Sequence, residues 1–220
     1  MKILFIGNSY TFFSDMPNLL EMLAKENGKD LICDSVTKGG RRLYQNLEEN
    51  DENGKKIQSL VEENEYDALF LQEHSCFPIL DYDKFLSALK TLKELVNAKR
   101  TILYATWGRK EGSETLTELK LTNKEMSKKL TDAYNSAAQT LDTEISHVGK
   151  VFLKISECLP SADIYKPDLS HPSYLGSVIV SICHYLTLFG EMPESVACFD
   201  VDMTQMTDIM PLILEAMNEN

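Results

Sequence analysis

Four short runs rich in apolar residues, at positions 2–6, 31–36, 68–71 and 101–104, with a weaker fifth at 145–148, alternate with amphipathic stretches of helical period at 17–26, 55–63, 82–96, 123–141 and 151–158. A strand apolar at consecutive positions must be covered on both faces, because neighbouring side chains point to opposite sides of the sheet. The alternation therefore predicts an α/β chain: a five-stranded parallel sheet in a flavodoxin-like, three-layer α/β/α arrangement. Punctuation agrees with these breaks. Pro17 suits a first helical position and Asn27-Gly28 a helix end. Residues 173–189 are apolar nearly all round and closed by Gly190, which predicts a buried helix, and the pattern Met206, Ile209, Met210, Ile213 near the end predicts a packing face. The polar stretch 110–118 reads as an exposed loop. At 220 residues, with no internal repeat and no linker composition, positions 1–220 are expected to form one domain.

A formal net charge of -12 opposes binding to nucleic acid or to anionic lipid, both polyanions. Five cysteines, scattered and without a Cys-x-x-Cys pair, offer neither a disulfide framework nor a zinc site, and reduced core thiols suit the cytoplasm. The apolar run after Met1-Lys2 is too short for a secretion signal, and no stretch has the length of a membrane span. The expected location is thus cytoplasmic, with no membrane or nucleic-acid partner.

In open α/β sheets the ligand crevice lies beyond the carboxyl ends of the strands. Four loops reach that rim: Gly7-Asn8-Ser9, Gly39-Gly40, Gln72-Glu73-His74-Ser75 and Thr106-Trp107-Gly108-Arg109. A serine hydroxyl becomes a nucleophile when a base takes its proton, and the base works best when a carboxylate fixes its tautomer. Ser9 stands at the tip of the first strand, and Asp168-Leu169-Ser170-His171 supplies a histidine and a carboxylate in one short loop before a helix. No known spacing of metal ligands joins Glu73, His74 and His171, so no metal and no cofactor is expected. His147 and His184 read as structural.

These residues resemble the SGNH, or GDSL-type, hydrolase superfamily, in the manner of a divergent bacterial branch. Its first block, Gly-Asp-Ser after strand one, is matched by Gly7-Asn8-Ser9 with asparagine in the middle place; its second-block glycine by Gly39-Gly40; its last block, Asp-x-x-His, by Asp168 to His171. The third block, Gly-x-Asn, is absent, and Gln72 stands where its amide would be sought. The resemblance implies that Ser9 is the nucleophile, His171 the base and Asp168 its orienting partner. The oxyanion would be held by the N–H groups of Ser9 and Gly40 with the Gln72 amide. It further implies a serine esterase acting through an acyl-enzyme on a short-chain or acetyl ester of a small molecule or carbohydrate. Asn8, Tyr10, His74, Trp107 and Arg109 are candidate substrate contacts, an aromatic face suiting a sugar and a guanidinium a carboxylate. Two other readings stay open: a flavodoxin-like phosphate- or nucleotide-binding module using the loop after strand one, and an SGNH-fold protein kept for binding after losing catalysis.

Overall fold

The computed structural model describes residues 1–48 and 50–219. In chain order the elements are β1 (Lys2–Gly7), α1 (Ser9–Phe12), α2 (Met16–Glu26), β2 (Ile32–Thr37), α3 (Glu52–Glu63), β3 (Ala68–Leu71), α4 (Phe77–Leu80), α5 (Tyr82–Val96), β4 (Arg100–Tyr104), α6 (Glu114–Leu119), α7 (Asn123–Leu141), β5 (Glu144–Ser146), α8 (Val148–Cys158), α9 (Tyr174–Phe189) and α10 (Met203–Asn218). The strands form one parallel sheet in the order β2-β1-β3-β4-β5, with Lys2 opposite Ile32 on one side of β1 and Ile3 opposite Ala68 on the other. The chain runs out from β1 to β2 and then crosses back to β3. The strand order therefore reverses at the carboxyl end of β1, where Ser9 begins.

Alternation along the strands divides the interior in two. Ile3, Phe5, Phe70, Ile102 and Tyr104 point to one face and pack with α2, α8, α9 and α10. Leu4, Ile6, Leu69, Leu71 and Leu103 point to the other, against α3, α5 and α7. All these strand residues are fully buried, which is why their runs are apolar at every position. Helices α3, α5, α7, α9 and α10 start on side-chain caps: Asp51, Asp81, Thr122, Ser173 and Asp202 each accept from a backbone N–H of the first turn, and Thr122 with Glu125 forms a reciprocal capping box. None of the described helices is long and apolar enough to cross a membrane.

Two expectations need correction. The fifth strand is only Glu144–Ser146, and Val148 already belongs to α8, which begins three residues before the expected 151. Gly149 permits that early start: a Cβ there would collide with the Thr106 carbonyl, so α8 approaches the end of β4 closer than any side chain allows. The stretch 110–118 is not all loop, because Ser113 caps α6 through the Leu116 N–H and Leu116 is buried.

His184 shows what the core demands of a titratable group. It is fully buried on α9 among Phe5, Phe70 and Tyr104, its Nδ1 lies 2.8 Å from the Ser146 hydroxyl, and burial pulls its pKa down to about 3. The unfolded chain takes up this proton near pH 6.5, the folded chain only near 3. Stability is therefore complete above pH 6.5 and falls as the pH drops below it, by about 4 to 5 kcal/mol from this residue if acid unfolding does not come first. Chemical denaturation at pH 7 and pH 5 should show the decline, and His184→Gln should flatten the part of the slope due to His184.

Candidate active site

Ser9 is the first residue of α1, immediately after its cap. Asn8 makes that turn with three hydrogen bonds: its N–H donates to Gln72 Oε1 at 2.8 Å, its Oδ1 accepts from the Tyr10 N–H at 3.1 Å, and its Nδ2 donates to the Arg41 carbonyl at 2.9 Å. The last bond explains the asparagine. An aspartate could receive the Tyr10 N–H but would set a carboxylate oxygen against the Arg41 carbonyl, and the loop carrying Gly39 and Gly40 would lose its tie to the Ser9 turn. Gly7 is fixed by crowding, since a Cβ there would sit 2.6 Å from Thr11 Oγ1 and 2.7 Å from Gln72 Oε1.

Ser9 Oγ lies 2.8 Å from His171 Nε2, and His171 Nδ1 lies 2.7 Å from Asp168 Oδ2. Asp168 Oδ1 also accepts the N–H groups of Ser170 and His171, each at 2.9 Å. Partial burial disfavours the Asp168 charge, but the bonds from the His171 N–H and ring and the Ser170 N–H outweigh it and hold the carboxyl below its usual range. The loop is pinned from outside as well. Lys110 donates its N–H to the Leu169 carbonyl, the Trp107 indole donates to the Ser170 carbonyl at 3.0 Å, and the Lys166 N–H donates to the His171 carbonyl. Leu169 is held at φ 60, a left-handed conformation that costs a branched side chain about 1 to 2 kcal/mol. Placing Asp168 and His171 on one point within three residues requires that bend.

The other candidates divide. Tyr10 and Trp107, expected to face substrate, are interior. Trp107 is fully buried between Tyr10, stacked at 4.4 Å, and Phe152, stacked at 4.1 Å, while the Tyr10 hydroxyl lies 2.8 Å from Ser170 Oγ. They support the histidine loop instead of touching a ligand. Asn8, also buried, has its amide fully engaged in the turn. Gln72 is turned inward: Oε1 accepts from the Asn8 N–H and the Thr11 hydroxyl, and Nε2 donates to the Glu73 carbonyl at 2.5 Å. One methylene longer than asparagine, it reaches beneath the Ser9 turn, whereas the sequence led us to expect its amide beside the Ser9 and Gly40 N–H groups. Among the described residues those two N–H groups donate to no protein acceptor, and Gly40 takes a positive φ of 66. Gln72→Ala should therefore act first on stability, by about 1 to 3 kcal/mol, because two buried donors lose their acceptor. A kcat loss of a hundredfold at unchanged Tm would instead restore the amide to the reacting centre.

His74 and Arg109 stand at the rim, both partly exposed. Burial lowers the pKa of His74, and the charges of Arg109, Arg42 and His171 lower it further. Glu73, in the sequence a member of the rim loop and a weighed metal ligand, has a structural task instead. Its carboxylate is fully buried, accepts the N–H groups of Leu43 and His74, and is pushed by burial up to about 7. It ties the segment after Gly40 to the end of β3; an acidic residue beside a rim histidine was the signal available. No group of three side chains suited to hold a metal occurs among the described residues.

No family profile matches the chain, and no curated protein matches it by sequence. Solved structures do. A protein from Slackia heliotrinireducens, a proposed SGNH hydrolase, is 25% identical with a TM-score of 0.76 over 86% of this chain and 98% of its own. A DUF4886 family protein from Bacteroides uniformis is 16% identical with a TM-score of 0.82, over 98% of this chain and 94% of its own. An acetyl-xylooligosaccharide esterase from Geobacillus is 15% identical with a TM-score of 0.62, over 88% and 96%. The parallel sheet between two helical layers is thus the fold of the SGNH hydrolases.

Proposed function

We propose that the chain is a serine hydrolase that cleaves an acyl ester through an acyl-enzyme, with Ser9 as nucleophile. The observation that carries this reading is the continuous hydrogen-bonded line from Ser9 Oγ through both ring nitrogens of His171 to Asp168. Asp168 accepts a hydrogen bond from the Nδ1–H, which leaves the Nε2 lone pair facing the serine hydroxyl. As Oγ adds to the ester carbonyl, its proton passes to Nε2. The carbonyl oxygen gains a charge that the N–H groups of Ser9 and Gly40 are free to receive. Collapse expels the alcohol with the proton from His171, and water repeats the sequence to release the acid. Short acyl groups, acetyl above all, on a small molecule or carbohydrate are the proposed substrates, supported by the likeness to an acetyl-xylooligosaccharide esterase.

The test is turnover of p-nitrophenyl acetate in the presence of EDTA. Because the described residues assemble no metal-binding cluster, the rate is expected to be the same with and without the chelator. Activity lost on chelation and restored by zinc would point to a metal hydrolase and overturn the serine mechanism.

A further inference from the structure

Arg109 follows β4 at the same rim as His171, and its surroundings are unusual for a guanidinium in so acidic a chain. Among the described residues its one side-chain bond runs from Nη2 to the neutral Ser75 hydroxyl at 2.9 Å, and its Nε is shielded from solvent without a partner. No carboxylate lies within ion-pair distance of it among the described residues, although the chain holds 34 Asp and Glu against 22 Lys and Arg. A partly buried cation without a counter-ion is costly, and the cost is relieved when a ligand supplies the anion.

The neighbours point the same way. His74, next to Ser75, has a buried Nδ1 without a partner and lies within the field of both Arg109 and Arg42. The Arg42 guanidinium rests over the Phe77 ring at 4.6 Å and likewise has no ion-pair partner among the described residues. Glu73, the buried carboxylate close by, has its oxygens engaged by the Leu43 and His74 N–H groups. Arg109 and Arg42 thus both act on His74, while Glu73 beside them is buried and engaged by backbone N–H groups.

We infer that Arg109, with His74 and Arg42 beside it, is an anion-recognition subsite, and that the ester accepted at Ser9 carries a carboxylate on its acyl or its alcohol part. This rests on the hydrolase reading above and narrows its substrate. A guanidinium presents several N–H donors to a carboxylate, and in the partly exposed Arg109 the Ser75 hydroxyl takes up only one of them. The carboxylate adds binding energy before and during reaction alike, so its effect belongs in KM.

Two matched pairs of esters test it: 4-acetoxybenzoate against its methyl ester, with the charge on the alcohol part, and mono-4-nitrophenyl succinate against its methyl ester, with the charge on the acyl part. In one pair the charged member is expected to have the higher kcat/KM by about ten- to hundredfold, carried by KM and shrinking as salt is raised. Arg109→Met, which keeps the stem, should collapse that ratio toward one, and Arg109→Lys should retain part of it. No preference in either pair, or a ratio unchanged by Arg109→Met, overturns the subsite. Should no ester be turned over at all, the hydrolase reading fails separately, and calorimetric titration with 4-acetoxybenzoate decides the subsite. Binding weakened at least tenfold by Arg109→Met upholds it; absence of binding overturns it.

Discussion

Ser9→Ala is expected to lower kcat on a short-chain ester by about 10⁴- to 10⁶-fold while leaving the fold intact. The size of the loss follows from the geometry. Once Oγ is gone, His171 Nε2 has nothing to deprotonate at 2.8 Å, and only the polar surroundings of the carbonyl remain to speed attack by water. A fluorophosphonate should give one covalent adduct on the unmodified chain, mapped by mass spectrometry of its peptides to Ser9. Ser75 and Ser170 are the informative controls, since both lie near the same imidazole loop yet have their hydroxyls engaged by Arg109 and Tyr10. An adduct on either of them, or none under conditions that label a known esterase, would remove Ser9 from the mechanism.

Asp168→Asn should cost about 10³ to 10⁴ in kcat, and here the two carboxylate oxygens separate chemistry from architecture. Oδ1 accepts the backbone N–H groups of Ser170 and His171, a task an amide oxygen performs equally well. Oδ2 faces His171 Nδ1 at 2.7 Å, and an amide nitrogen there would donate to Nδ1 and drive the ring proton to Nε2, against Ser9. The asparagine variant should therefore keep its Tm and lose its rate. Asp168→Ala should lose both, because the turn through Leu169 then lacks the acceptor that holds it. An asparagine variant within tenfold of the parent would mean that Asp168 only shapes the loop.

The three central strands β1, β3 and β4 were legible because they are buried on both sides, as Leu4 and Phe5 show by pointing to opposite layers with equal burial, whereas the edge strand β2 carries Asp34 and Ser35 and leaves Ile32 exposed. The edge was less so: Glu144 is exposed and Ile145 half-buried on a three-residue β5, too short for a period to establish itself. Ser9, Asp168 and His171 were visible as types and spacings, and the structure brings all three within hydrogen-bonding distance. What misled was the polarity of the strand ends. Trp107 and Tyr10 stand at the rim in sequence, but their rings turn back under it and their single polar atoms are satisfied by Ser170, a partner 63 and 160 residues away. Gln72 was placed by analogy with a shorter amide, and the extra methylene carries its head group past the expected position. Neither outcome follows from local pattern, because each depends on which distant backbone group offers the bond.

Trp107 is the one tryptophan in the chain, and its indole N–H is bonded to the carbonyl just before His171. The molecule therefore carries a built-in optical reporter in contact with the loop that holds its base. Any event that lifts that loop, whether acylation, a ligand or mild denaturant, must break the indole bond or part the stack with Tyr10, and will register in the emission of a single fluorophore. Time-resolved fluorescence can thus follow the histidine loop during turnover without a label, and with no second tryptophan to confuse the signal.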